Sequence, residues 1–230
     1  ERVRAFDLPP VRRDFPVSTW QAGDVWRGQH LLWLPADLES GRYDWVLQLC
    51  PKTSSRECVS ANMAANPGSA LPLKSLDIRA PERHWAGPAG SAPPLDLEAN
   101  VRVGDVAVLL GAVLEPGISV HPGDVLQATL VWRAVAETRT SYRVFLHLLD
   151  SQDNVIAQSD GVPVEWTRPT TGWVSGEILK DPRLLHIPPG VSPGSYRLQA
   201  GMYTLEDGRL PTSGGGDTVV LGEIAITISD

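Results

Sequence analysis

Two stretches of this chain are versions of one another. Residues 16–50 (PVSTWQAGDVWRGQHLLWLPADLESGRYDWVLQLC) and 169–203 (PTTGWVSGEILKDPRLLHIPPGVSPGSYRLQAGMY) align without a gap at a constant offset of 153 residues. Pro16, Trp20, Gly23, Leu31, Leu32, Pro35, Gly41 and Tyr43 recur as Pro169, Trp173, Gly176, Leu184, Leu185, Pro188, Gly194 and Tyr196. Asp24 and Arg27 keep their charge in Glu177 and Lys180. Chance does not place Pro, Trp, Gly and Tyr in one register twice, so the chain contains an internal repeat. Two copies this short in 230 residues mean tandem modules rather than a solenoid.

The repeated stretch has the pattern of strands joined by turns. Residues 176–187 alternate apolar and polar, which predicts a strand. Pro188-Pro189-Gly190 ends it, because proline supplies no ladder donor and fixes φ. Ser192-Pro193-Gly194 turns the chain, and 196–203 is the return strand. Trp20 and Trp173 stand just before their strands. Each is expected to plug one end of a sandwich with its indole N–H on a loop carbonyl; a sugar-stacking platform is the other reading.

The bulk numbers fit two modules of ordinary size. Twenty prolines and twenty-one glycines argue for many turns and short strands, and no amphipathic helical run exceeds two turns. A net charge of −7 makes nucleic acid an unfavourable partner. No stretch approaches the roughly 20 apolar residues of a membrane helix. The chain opens at Glu1 without a signal peptide, which suggests a piece of a longer protein. Cys50 and Cys58 are the only cysteines, one at the end of a predicted strand and one beyond the turn KTSSRE. A hairpin can bring such a pair within disulfide reach, and a bond would imply an oxidising, extracytoplasmic compartment; two free thiols are the alternative.

In chain order, residues 1–15 read as one irregular opening strand and 71–79 as the last strand of the first module, corresponding to 219–228. The Pro-rich small-residue stretch AGPAGSAPP makes 86–98 a linker. Strands are expected over 105–113, 125–135, 141–149 and 155–158. With the repeat hairpin and the last strand, the second module then has about seven to eight strands, the spacing of an Ig-like sandwich. The fold is therefore all-β: an incomplete module over 1–85, the linker, and a complete module over 99–230. The asymmetry is plain. From Gly104, 65 residues precede Pro169, whereas 15 precede Pro16. The first module lacks three or four strands, so the second module, another copy of the chain or a further segment is expected to cover it.

The order GISVHPGDVLQATLVWRA, YRVFLHLLDSQDNVIAQSDGVPV, RPTTGWVSGEILKD, PPGVSPGSYRLQAGMY and DGRLP resembles a family. It is similar to the extracytoplasmic β-sandwich modules found, often in tandem, at the C-termini of polytopic membrane glycosyltransferase-like proteins of Chloroflexi-type bacteria. The resemblance covers about 105–228, and 16–82 as the later half of another copy. Its departures are LQLC where the second copy has AGMY, and Trp166 where the family often has small residues. It implies a cell-surface region tethered to the membrane through its parent, with any catalytic acid in the membrane part. It assigns no catalytic residue to this module.

The residues themselves point the same way. There is no Gly-rich phosphate loop, no HExxH and no G-x-S-x-G. Asp150, Asp153 and Asp160 surround one turn, but calcium needs about six to eight oxygens, and DSQDN suits an Asx-stabilised turn. No metal or cofactor is expected. His147, mid-strand among apolar neighbours, reads as a structural residue bonded to Asp160. A catalytic His–Asp pair would lack a nucleophile. Trp132 and Trp45 alternate with aliphatics and read as core. Trp33, Trp26 and Trp166 are the candidate ligand-binding residues: an indole takes the C–H face of a sugar while polar neighbours take its hydroxyls. Trp33 and Trp26 could instead cover the contact left by the missing strands.

These readings together predict a non-catalytic region that recognises a glycan or a protein partner. The alternatives are a structural spacer, a module that self-associates through its incomplete half, and a carbohydrate-binding module of a secreted glycoside hydrolase.

Overall fold

A computed structural model describes residues 5–48, 71–85 and 94–228. Cys50 and Cys58 lie outside the described residues, as does most of the linker. The described residues contain strands and two short 3₁₀ turns and no α-helix, so the fold is all-β. The chain divides into two compact units, Glu1–Pro35 and Ala36–Asp230.

The first unit holds the 3₁₀ turn Val17–Thr19 and an isolated bridge between Arg12 and Phe15. It has no strand among its described residues, so no part of the opening strand expected over 1–15 forms over residues 5–15. A strand is held by a neighbour that takes its N–H and C=O groups, and that bridge is the only pairing recorded among the described residues here.

The second unit begins with a two-stranded sheet, β1 (Gly41–Leu47) against β2 (Leu71–Ile78). The rest is a pair of larger sheets. One has the order β3 (His84–Trp85), β10 (Glu177–His186), β7 (Val125–Ala134), β5 (Ala107–Glu115), β4 (Leu97–Val103). The other has the order β6 (Ser119–Val120), β13 (Val219–Ile226), β11 (Gly194–Thr204), β8 (Arg143–Leu149), β9 (Val155–Gly161), with β12 (Gly208–Arg209) on β11. All pairings are antiparallel except β6 with β13. Four elements fall where none was expected, the short β6 and β12 among them. His84 and Trp85 pair with Ile178 and Glu177, and β4 starts at Leu97, inside the predicted linker.

The strand period explains the core. Leu126, Ala128, Leu130 and Trp132 of β7 point inward, as do Val144, Leu146 and Leu148 of β8, and all are buried. Each large side chain contributes roughly 1.5–3 kcal/mol by leaving water. Pro182 sits within β10, where β3 pairs only with Glu177 and Ile178. The missing N–H therefore faces an unpaired edge, which is where a strand tolerates proline.

Several local backbone features recur in the two copies. Val17–Thr19 and the second 3₁₀ turn, Thr170–Gly172, occupy equivalent positions. The residues closing them match: Trp20 at φ −80°, ψ 144° and Trp173 at φ −82°, ψ 144°. Gly23 and Gly176 both take positive φ, 97° and 87°, a region that favours glycine. Asp24 accepts a hydrogen bond from the Gln21 N–H (2.9 Å), as Glu177 does from the Val174 N–H (3.2 Å). Tyr43 donates to the Glu39 carbonyl (3.1 Å) and Tyr196 to the Ser192 carbonyl (2.7 Å). Gly41 pairs with Ile78 as Gly194 pairs with Ile226, and the bulges fall at Trp45/Val46 and Leu198/Gln199.

The copies part where neighbours differ. Residues 24–33, the counterpart of β10, form no strand. Val25 is 93% exposed, whereas its counterpart Ile178 is 8% exposed beside β7.

Candidate functional site

The site grows from a connection that the sequence gives no reason to expect. After β9 the chain passes through Val162-Pro163-Val164-Glu165-Trp166 toward the second 3₁₀ turn. Val164, Glu165 and Trp166 all take the left-handed conformation, at φ 53°, 50° and 69°. For L-residues this costs about 1–2 kcal/mol each, and it normally occurs singly. The turn closes through Trp166 N–H to Val162 O (3.2 Å) and Thr167 N–H to Val164 O (2.9 Å). The Thr167 hydroxyl donates to the same Val164 carbonyl at 2.6 Å.

A buried ion pair on β10 holds this turn from below. Asp181 Oδ1 accepts the Val164 N–H at 2.7 Å. Asp181 Oδ2 accepts from Arg183 Nε (3.0 Å) and Nη2 (2.9 Å), and Nη2 also donates to the Gly161 carbonyl (3.2 Å). The pair thus grips both the end of β9 and the middle of the turn. Burial is the largest influence on Asp181 and raises its pKa. The Arg183 charge and hydrogen bond and the Val164 N–H oppose that rise. Replacing such a pair with apolar residues is often neutral, whereas breaking it is costly. Its value here is positional, since it ties a strained backbone to a rigid strand.

What the turn presents is Trp166. The residue is 62% exposed. Its indole lies against Gly161, where an added Cβ would come within 3.2 Å of the ring nitrogen. The Arg143 guanidinium carbon stands over the ring, 5.4 Å from its centroid. Among the described residues no carboxylate lies within ion-pair distance of Arg143. The guanidinium is thus a cation–π neighbour over the ring, and the part of the indole that stays exposed is apolar, with guanidinium donors close by.

The other end of the connection is locked by a second buried carboxylate. Glu177 receives Arg83 (2.6 Å) and Arg168, and Arg83 also donates to the Gly172 and Ala36 carbonyls. Trp173 is fully buried, and its indole N–H donates to the Arg168 carbonyl at 3.0 Å. Trp20 departs from the expectation for its pair: its buried indole N–H has no hydrogen-bond partner among the described residues. Phe15 holds the position equivalent to Arg168, and it is engaged in the bridge with Arg12.

The remaining candidates scatter. Trp33 is 54% and Trp26 45% exposed, with the Trp26 ring 4.6 Å from that of Phe15 at a tilt of 58°; both belong to the first compact unit and Trp166 to the second. Trp132 is fully buried and Trp45 is half-buried. His147 Nε2 lies 3.1 Å from Asp160 Oδ1, while its buried Nδ1 has no hydrogen-bond partner among the described residues. No Ser, Thr or Cys among the described residues hydrogen-bonds to His147.

The three turn carboxylates go to three different partners. Asp150 accepts from the Gln152 and Asn154 N–H groups and the Asn154 amide, Asp153 pairs with Arg197, and Asp160 serves His147. No group of three or more potential metal ligands occurs among the described residues. Nor is any helix among them long and apolar enough to cross a membrane.

Asp181 and Arg183 were missed by sequence reasoning, although a signal was present. In LKDPRLL they share the phase of Leu179 and Leu185, which places two charges on an inward face. No protein-family model matches this chain, and a search of curated proteins returns no match.

Proposed function

We propose that the chain is a non-catalytic recognition region built from two Ig-like sandwich modules, the first incomplete, with Trp166 as the platform that meets a glycan. The Ig-like reading is supported by the two antiparallel sheets and by the hydroxyl of Tyr196, near the start of β11, bonding back to Ser192 O. The platform reading rests on one observation: a buried ion pair fixes three consecutive left-handed residues whose outermost member is an exposed indole. Backbone strain held by buried hydrogen bonds is common at ligand clamps. The placement outside the cell, tethered through a membrane glycosyltransferase-like parent, follows from the sequence resemblance.

The test is a titration with a panel of neutral and acidic oligosaccharides, followed by tryptophan fluorescence. A saturable change in the intact chain that disappears in Trp166→Ala, while Trp33→Ala keeps it, supports the platform. No change with any member of the panel rejects it.

A second reading, a spacer that self-associates, is favoured by the exposed apolar side chains of the first copy, among them Val25, Leu31, Val46 and Leu73. It predicts a concentration-dependent mass and no ligand.

A further inference from the structure

Three strands of the second unit set one row of side chains on an outward face. Arg143 of β8 lies opposite Tyr203 of β11, and Tyr203 lies opposite Arg209 of β12. Tyr203 pairs with both, so β8 and β12 stand on opposite sides of it. Val144, Leu146 and Met202 face the core, so the residues that alternate with them point away from it.

Aromatic rings place both cations of this row. At one end Trp166 lies under the Arg143 guanidinium. The other end is built on a glycine. A Cβ added at Gly201 would come within 2.6 Å of the Phe145 ring, so that ring lies across bare backbone. The Arg209 guanidinium carbon sits over it, 4.3 Å from its centroid, and the Tyr203 ring centroid is 6.3 Å from the same point. Among the described residues no hydrogen bond engages either guanidinium; Asp217 stands 3.7 Å from Arg209, an ion pair beyond hydrogen-bond distance. Trp166 and Arg209 are exposed, and Arg143 and Tyr203 are half-buried, so a ligand can reach the row.

We infer, on the footing of Trp166 as a glycan platform, that this row binds an anionic glycan. Its carboxylate or sulfate groups sit on Arg143 and Arg209, whose N–H forks match planar and multi-oxygen anions. Its sugar rings lie on Tyr203 and the exposed part of Trp166. A neutral sugar would leave both forks to water. Arg143 and Arg209 stand on strands two spacings apart, roughly 10 Å, so different units of one extended chain carry the two anionic groups. The net charge of −7 repels polyanions in general, which makes binding local to this row.

The test titrates the intact chain with two matched pairs: a galacturonate hexamer and its methyl ester, and sulfated maltohexaose and maltohexaose. Tryptophan fluorescence and calorimetry read the binding. At least one anionic form is expected to bind at least about tenfold tighter than its neutral twin, as charge-assisted hydrogen bonds at both arginines require. The difference shrinks with added salt, and a variant carrying Arg143→Gln and Arg209→Gln loses it. Which pair shows the difference separates carboxylate from sulfate. Equal affinity within both pairs overturns the inference and leaves Trp166 as a platform for neutral sugar. A difference that survives in the double variant overturns it as well, because the charge is then read elsewhere. Silence from both anionic hexamers overturns it too, and neutral oligosaccharides judge the Trp166 platform independently.

Discussion

At the residue scale, Asp181 is the group on which most depends. Asp181→Asn keeps an acceptor for the Val164 N–H but strands Arg183 as an unpaired buried cation. Loss of about 3–5 kcal/mol is expected, measured by urea unfolding, with a shift in Trp166 emission as the turn relaxes. Asp181 at the site and Asp150 in the turn before β9 act oppositely with pH. Burial raises Asp181, so its contribution to stability is fullest below its ordinary value of 3.8 and is lost as pH rises through its folded value. Asp150 is lowered, first by the Asn154 side chain and then by the Asn154 N–H. Its contribution is present above 3.8 and is lost as pH falls through its folded value. Asn154→Ala is expected to return Asp150 toward 3.8, which a carboxyl-carbon NMR titration reads directly. An unmoved titration curve contradicts that assignment of causes.

At the scale of elements, identical residues meet different fates. Leu185 is buried beside β7, whereas its twin Leu32 lies in a stretch that forms no strand. Local pattern alone predicts a strand in both places, and tertiary partners decide between them. That is why the hairpin strands, β7, β8 and β13 were legible from alternation and turn residues, while the loss of a strand over 24–33 was not. β4 hid because LEANVRV begins inside a Pro-rich stretch and is bent by a register shift between Glu98 and Val101. The left-handed turn at 164–166 was illegible for a different reason. Val, Glu and Trp do not favour positive φ, and the carboxylate that enforces it sits 17 residues away from Val164. The turn clasp behaves as a shared part. Tyr196→Phe removes a half-buried hydrogen bond to Ser192 and is expected to cost about 1 kcal/mol by thermal unfolding. Tyr43→Phe is expected to cost less, because its hydrogen bond is exposed. Equal losses would argue that both copies are equally enclosed.

At the scale of the whole molecule, one sequence pattern appears twice, and its surroundings differ between the two places. The second copy has its interior filled by β7 and β8, and the first shows its apolar side chains to solvent. Stability should be distributed accordingly, since local opening is easiest where buried contacts are fewest. Native-state amide exchange of the intact chain tests this most directly. We predict protection near the global unfolding limit across Gly194–Thr204, and exchange across Gly41–Leu47 faster by at least about a hundredfold. Equal protection of the two strands in the monomeric chain would contradict the account.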